Sequence, residues 1–160
     1  MISQVFSAGV LGVDGYEVTV ECSGFDRLPN FELVGLPDAA VKEAKERVRS
    51  ACENSGVRFP AMELTINLAP ANIKKEGSAF DLAILVSILA VSGGLPRGCD
   101  LSACTFIGEL SLSGELRPVR GVLPMVLAAR DAGRTTVYVP RENAEEASVV
   151  SGVTVLGVSS

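Results

Sequence analysis

Histidine is absent from this 160-residue chain, and so is tryptophan. Without an imidazole the chain cannot form a Ser-His-Asp or Cys-His catalytic pair, and it lacks a common ligand of protein zinc and iron sites. Aromatic residues make up only 5% of the sequence, although 48% of it is hydrophobic. The core must therefore consist mainly of Val, Leu, Ala and Ile, which we interpret as the core of an α/β or α+β protein.

The cysteines carry no recognisable metal-binding or redox motif. None of the four is part of a CxxC pair, and no histidine is present to complete a set of metal ligands; they are Cys22, Cys52, Cys99 and Cys104. We expect reduced, mostly buried thiols in a cytoplasmic protein, because cytosolic thiols are kept reduced and free cysteines behave as small hydrophobic residues.

Long hydrophobic runs are also missing. The most apolar stretch, residues 82–91, is much shorter than the roughly 20 residues that a membrane-spanning helix requires. The amino terminus, MISQVFSAGVLG, has no basic segment and no cleavage site, so no signal peptide is predicted. We expect a soluble cytoplasmic protein without membrane contact.

Positive charge is in deficit, since 14 Lys and Arg face 19 Asp and Glu, for a net charge of −5. Any contact with nucleic acid would need a local basic patch. The phosphate-binding motif GxxxxGK[ST] does not occur, so we expect no ATP and no other cofactor or metal in this chain. Its length fits a single domain over residues 1–160, because domains typically contain about 100–150 residues.

The periodicity of the sequence predicts alternating strands and helices. Two amino-terminal strands are expected around the turn at residues 13–16, where Asp14-Gly15 is a typical hairpin pair. A helix is expected from Asp38 to about Asn54, followed by a half-buried strand over residues 62–68. A hairpin over residues 105–119, a helix over residues 121–132 and further short elements complete the predicted α/β unit.

The junction at residues 74–81 allows two interpretations. Ser78 and Asp81 fit a capping box, in which Ser78 caps the next helix and Asp81 bonds back to the Ser78 N–H. Alternatively, Ser78 and the adjacent Lys74 or Lys75 could form a nucleophile and its base, but closeness in sequence does not establish geometry.

Two further groups of charged residues are candidates for sites. Glu109 and Glu115 flank the expected hairpin, where we interpret them as solvated rather than catalytic. A set of cations on one helix face, interrupted by glutamates, is either solvated or a contact for DNA phosphates: Lys42, Lys45 and Arg49.

Four segments identify a resemblance: GLPDAAVKEAKERVRSA, LTINLAPANIKKEGSAFDLAI, FIGELSLSGELRPVRGVLPMVLAAR and VPRENAEEA. They resemble the N-terminal domain of the ComM/YifB family of magnesium chelatase-like AAA+ ATPases of bacteria. The resemblance implies a downstream AAA+ module that binds ATP and Mg²⁺. It also implies a homo-hexamer and a DNA helicase or branch-migration motor in natural transformation and recombination.

The same segments are similar to the C-terminal proteolytic domain of Lon, whose fold has a left-handed βαβ crossover and is shared with GHMP kinases. Aligned on the Lon motifs without gaps, Ala79 takes the nucleophile position and Leu123 the general-base position; a one-residue gap would place Ser78 at the nucleophile position and would still leave Leu123 at that of the base. Neither the Ala79 nor the Leu123 side chain can attack a carbonyl or carry a proton. The resemblance therefore implies a non-catalytic domain; a serine peptidase or a small-molecule phosphotransferase of the same fold is the alternative.

The loop at Lys74 and Lys75 is the remaining candidate for a partner contact. It precedes a helix whose N-terminus is partly positive, which favours a nearby anion. In a ring, repeated weak contacts would combine. We expect both lysines either to contact DNA or to lie in a solvated loop.

Overall fold

A mixed seven-stranded sheet forms the centre of the computed structural model, which describes residues 1–96 and 98–160. Its strand order is β3-β4-β2-β1-β5-β8-β9, and a separate two-stranded ribbon pairs β6 with β7. The strands are β1 (Ile2–Leu11), β2 (Asp14–Phe25), β3 (Asn30–Val34), β4 (Glu63–Ala69), β5 (Cys104–Phe106), β6 (Glu109–Leu110), β7 (Leu116–Arg117), β8 (Thr136–Pro140) and β9 (Thr154–Val158).

Five α-helices and one 3₁₀ turn connect these strands in the described part of the chain. They are α1 (Ala39–Lys42), α2 (Ala44–Asn54), α3 (Asp81–Ser92), α4 (Val122–Asp131) and α5 (Ala144–Ala147), with the 3₁₀ turn at Arg141–Asn143. Within the seven-stranded sheet β2 alone runs antiparallel to its neighbours. The predicted α/β class is confirmed, while the handedness of the crossovers stays a prediction.

Two apolar clusters lie against the sheet. One joins α2 and α3 to the sheet through residues such as Val48, Ile66 and Ile84. The other joins α4 and α5 to it through residues such as Val126, Val137 and Ala147. The helices thus cover the sheet as two layers, which is the arrangement expected when α/β units alternate.

The amino-terminal hairpin turns earlier than predicted. Leu11 pairs with Asp14, so the two-residue loop is Gly12-Val13, with Gly12 at a positive φ of 66°. Gly15 lies inside β2, where a Cβ atom would collide with the carbonyl oxygen of Pro124. The Asp-Gly pair therefore marks a close approach of strand and helix α4, and the turn prediction was wrong by two residues.

The helix predicted from Asp38 to Asn54 ends as expected but is interrupted at Glu43, which separates α1 from α2. Asp38 caps α1, because its Oδ1 accepts a hydrogen bond of 2.7 Å from the N–H of Val41. The predicted hairpin over residues 105–119 is likewise divided. Its first part, β5, joins the large sheet, and the β6–β7 ribbon follows it.

The cysteines are free thiols, of which Cys22 and Cys52 are buried, Cys104 is half-buried and Cys99 is exposed. Burial raises the pKa of Cys22 to about 11. No helix within residues 1–96 and 98–160 is long and apolar enough to cross a membrane.

Candidate functional site

A cleft of about 690 Å³ opens where β1, the start of α3 and the loop before α4 meet. Its size lies within the range of roughly 300–1,000 Å³ typical of ligand pockets. Main-chain and side-chain atoms from four segments form its walls: Gly9 and Val10, Asp38, residues 76–80 with Glu109, and residues 118–121 with Met125.

The two positions that the Lon alignment assigns to catalysis lie close to this cleft. Ala79 lines it and is only 7% exposed. Leu123 is half-buried in α4 and packs against the same apolar cluster as Ala79. Ala79 and Leu123 thus pack in the same apolar cluster.

Ser78 does not cap α3, so the predicted capping box is wrong. The helix begins at Asp81, the N-cap position belongs to Phe80, and no side chain makes a capping bond. Ser78 instead donates a hydrogen bond from Oγ to Oε2 of Glu109, over 3.0 Å. The structure thus brings together Ser78 of the junction at residues 74–81 and Glu109 of the hairpin carboxylates, which are separate candidates in the sequence.

Asp81 does not reach back to Ser78 because its carboxylate is already bound on the inner side. It is 1% exposed and accepts bonds from Arg47 Nε at 2.6 Å and Nη2 at 3.0 Å. A third bond, of 3.0 Å, comes from the N–H of Leu110. Burial raises the pKa of Asp81, whereas the bonds from Arg47 and Leu110 oppose that rise.

Arg47 extends this network to α1, since its Nη2 also donates to the carbonyl oxygen of Ala40 at 2.8 Å. The pKa of Arg47 is raised, chiefly by its hydrogen bond to Asp81. The ion pair consequently ties α1, α2, α3 and β6 together directly behind the Ser78–Glu109 wall of the cleft.

Lys75 is fully buried, with no exposed surface. Its Nζ donates to the carbonyl oxygens of Gly35, at 2.7 Å, and Pro70. Burial lowers the pKa of this ammonium. Both alternatives predicted for Lys75, a DNA contact and a solvated loop position, are therefore wrong, because its charge is held inside the protein by two loop carbonyls.

The main chain of Lys75 also joins the loop after β3 to the loop after β4. Its N–H donates to Leu36 and its carbonyl accepts from Asp38, both over 2.9 Å. Asp38 completes the junction, because its Oδ2 accepts a bond of 3.2 Å from the N–H of Gly77. Two of the segments that carry the family resemblance, GLPDAAVKEAKERVRSA and LTINLAPANIKKEGSAFDLAI, are thus bonded to each other beside the cleft.

The other predicted contact residues remain at the surface. Lys42 and Lys74 are exposed, and Lys45 and Arg49 are half-buried. Arg49 lies 3.6 Å from Glu46 and also stacks over the ring of Phe59. Among the described residues, no group of three or more His, Cys, Asp or Glu side chains is arranged to hold a metal ion.

Comparison with known proteins identifies the family. Residues 18–143 match the family model described as "Subunit ChlI of Mg-chelatase". This chain belongs to that family. The matched range contains the strands, loops and helices that form the cleft, with the exception of β1 and the first residues of β2.

The curated relatives are considerably longer than this chain. Competence protein ComM of Haemophilus influenzae is 46% identical over 147 residues, which are 92% of this chain and 28% of that protein. An uncharacterized protein YifB of Escherichia coli is 41% identical over 94% of this chain and 29% of its own length. The chain thus spans about three tenths of these relatives, and its resemblance to the ComM/YifB family is confirmed.

A more distant relative supports the expected fold. Lon protease of Mycolicibacterium smegmatis is 27% identical over 140 residues, which are 84% of this chain and 18% of the protease. Together with the mixed α/β sheet, this likeness confirms the Lon-like fold class.

Sequence reasoning missed the partners that shape the cleft. Nothing in the sequence indicates that Arg47 and Asp81 pair across 34 residues, or that Glu109 accepts from Ser78. The sequence identifies Asp38 as an early-helix residue, but it gives no sign of the second bond, to Gly77.

Proposed function

We propose that this chain is a non-catalytic accessory domain of a cytoplasmic, magnesium chelatase-like AAA+ ATPase. In this proposal the ATPase module, with its ATP and Mg²⁺, lies in the remainder of the longer polypeptide. The domain supports assembly of a homo-hexamer and the path of DNA through a helicase or branch-migration motor. The printed name of the ComM relative, a competence protein, supports a role in natural transformation and recombination.

The observation that carries the proposal is the apolar chemistry at the two positions aligned with the Lon dyad. Covalent catalysis requires a nucleophilic atom and a base within hydrogen-bond reach of each other. Ala79 and Leu123 provide neither, although the cleft beside them is retained. A domain that keeps a protease-like fold without this pair is suited to assembly and positioning.

The DNA contact is proposed at the loops that follow β3 and β4. Lys42 and Lys74 are exposed there, and no salt bridge to either is present among the described residues. Lys45 and Arg49 lie farther along the same helical segment. Because the chain is acidic overall, a single copy should bind weakly and a ring should gain affinity through repetition.

The experiment compares DNA binding of the full-length ATPase with its Lys42→Gln/Lys74→Gln variant at several salt concentrations. We expect weaker binding and a salt slope that is shallower by about 0.9 for each phosphate that the variant no longer binds. ATP hydrolysis without DNA should be unchanged. Arg130→Gln is the control, since Arg130 is a surface cation beside Asp131 on helix α4. Equal affinity and slope in all three proteins would refute this DNA path.

One observation favours a second candidate, a serine peptidase. The Ser78 hydroxyl lies in the cleft and donates to Glu109 at 3.0 Å, so a carboxylate could accept its proton. Incubation with casein and a fluorogenic peptide distinguishes the two functions. The accessory-domain proposal expects both substrates to stay intact. Cleavage that survives repurification and disappears in Ser78→Ala would establish the peptidase instead.

A further inference from the structure

The β1 edge of the cleft is an open strand edge. Leu11 and Asp14 flank the two-residue hairpin loop and form a hydrogen-bonded pair, so the main-chain groups of Leu11 and Gly9 face β2. The N–H and C=O of Val10 therefore point away from β2. Val10 also lines the cleft, so this unpaired part of β1 borders it.

The neighbouring strand on that side ends before it reaches Val10. β5 pairs with β1 at Phe6 and Thr105. Beyond Phe106 the chain stays bonded to β8 through Ile107 N–H and Tyr138, and Gly108 N–H donates to Ala79, just before α3. Within residues 1–96 and 98–160, no strand pairs with β1 alongside Val10 except β2.

A second part of the cleft lining is the loop at residues 118–121, which contacts the Val10 side chain at Gly121 and is held in place. Asn143 is buried and its side chain bonds both main-chain groups of Val119, with distances of 2.9 and 3.0 Å. The cleft is thus bordered by an unpaired strand edge and by a clamped loop. An extended peptide fits such a slot, since it can pair with the strand edge.

The ionisable side chains that line the cleft set the charge of the occupant. Three are carboxylates, Asp38, Glu76 and Glu109, against a single guanidinium, Arg120. Asp38 and Glu109 are also fixed by hydrogen bonds from Val41, Gly77 and Ser78. The resulting negative field favours lysine or arginine side chains and disfavours nucleic acid.

We propose that this cleft binds an extended, positively charged peptide segment of a partner protein by adding it as a strand beside Val10, without cleaving it. The lysines or arginines of the peptide lie toward Glu76 and Glu109, and its main chain bonds to the N–H and C=O of Val10. This peptide-binding activity is separate from the proposed DNA path, which uses Lys42 and Lys74.

The test measures binding of fluorescein-labelled peptides to the 160-residue chain by fluorescence anisotropy. The probes are an acetylated, amidated peptide of alternating lysine and valine, and its counterpart with glutamate in place of lysine. The lysine peptide should bind at least about tenfold more tightly at low salt. Glu76→Gln/Glu109→Gln should remove most of this preference, whereas Glu32→Gln, exposed on β3, should leave it unchanged.

Two further probes test the strand pairing itself. Two peptides are methylated on every second amide, one on the amides that face Val10 and the other on the amides that point away from it. The first methylation should weaken binding about fivefold or more, and the second should have little effect. Val10→Pro removes the outward N–H without removing a β1–β2 bond, and should weaken binding similarly. Circular dichroism verifies that this variant is folded, and the methylated peptides decide the question if it is not.

Several results would overturn the proposal. These are equal binding of the lysine and glutamate peptides, equal binding of both methylated registers, or unchanged affinity in folded Val10→Pro. Binding of a fluorescein-labelled single-stranded oligonucleotide, measured without peptide and weakened by Val10→Pro, would instead assign the cleft to nucleic acid. Each of these outcomes is independent of the DNA affinity of the Lys42→Gln/Lys74→Gln protein, so the two proposals can fail separately.

Discussion

Adjacent lysines in this chain should differ strongly in their effect on stability. Lys75→Met removes the donor for the carbonyl oxygens of Gly35 and Pro70, both of which it bonds from a fully buried position. Lys74→Met is the matched control, because Lys74 is exposed. Methionine retains most of the length and apolar volume of lysine, so the pair of variants isolates the ammonium group.

The expected magnitude follows from the removal of these two bonds. Hydrogen bonds to a charged group contribute about 1.5–3 kcal/mol each, and a carbonyl left unsatisfied costs about 1–3 kcal/mol. Removing a desolvated ammonium offsets part of this destabilisation. We therefore expect Lys75→Met to lower the free energy of unfolding by about 2–4 kcal/mol, against about 0.5 kcal/mol or less for Lys74→Met.

Urea denaturation followed by circular dichroism at 222 nm measures the difference. With a urea m-value of about 2 kcal/mol/M, Lys75→Met should shift the midpoint down by roughly 1–2 M. Burial lowers the folded-state pKa of Lys75. Since the unfolded chain then holds the proton more tightly, the wild-type advantage should grow as the pH rises toward the unfolded lysine pKa of about 10.4. Equal midpoints for Lys74→Met and Lys75→Met would refute the buried clamp.

Two more substitutions test the network behind the cleft. Arg47→Met leaves the Asp81 carboxylate, which is 1% exposed, without its cation, so the free energy of unfolding should fall by about 3–5 kcal/mol at pH 7. Arg47 opposes the rise of the Asp81 pKa that burial causes, so this carboxyl should take up a proton at a higher pH in the variant than in the wild type. The deficit should therefore shrink as the pH falls toward the ordinary carboxyl value of about 4, and a pH-independent deficit would contradict the assignment. Ser78→Ala should cost only about 0.5–1.5 kcal/mol, through the half-buried bond to Glu109, and thermal denaturation showing an effect as large as that of Arg47→Met would contradict the observed partners.

The elements of the fold were predictable where the signal is local. The Asp38 cap of α1 is an example, because its side chain bonds to an N–H only three residues away and no tertiary contact is involved. Periodicity likewise located β4. The hairpin at Gly12-Val13 was misplaced because Asp14-Gly15 also suits a tight turn. What put Gly15 inside the strand was contact with Pro124 of α4, a partner that is distant in the sequence.

The candidate site was much less predictable, because its geometry depends on contacts between distant segments. Lys74 and Lys75 are chemically identical neighbours, and their different burial follows from the bridge between Pro37 and Lys75. This pairing turns one side chain inward and leaves the other in solvent. Similarly, Asp81 satisfies a capping motif in sequence, but Arg47 provides a closer and charged partner.

The motif residues of this chain stabilise the shape of the cleft. Asp38 and Lys75 lock the loops after β3 and β4, and Arg47 with Asp81 fixes the start of α3 against β6. Ala79 lines the same cleft. Rigid walls suit selective binding, since preorganisation lowers the entropic cost of ordering a partner. Loosening a wall, for example with Arg47→Met at a pH where the variant is still folded, should therefore weaken binding of the lysine peptide without changing its preference over the glutamate peptide. A change in preference would show that Arg47 acts on the peptide through its charge.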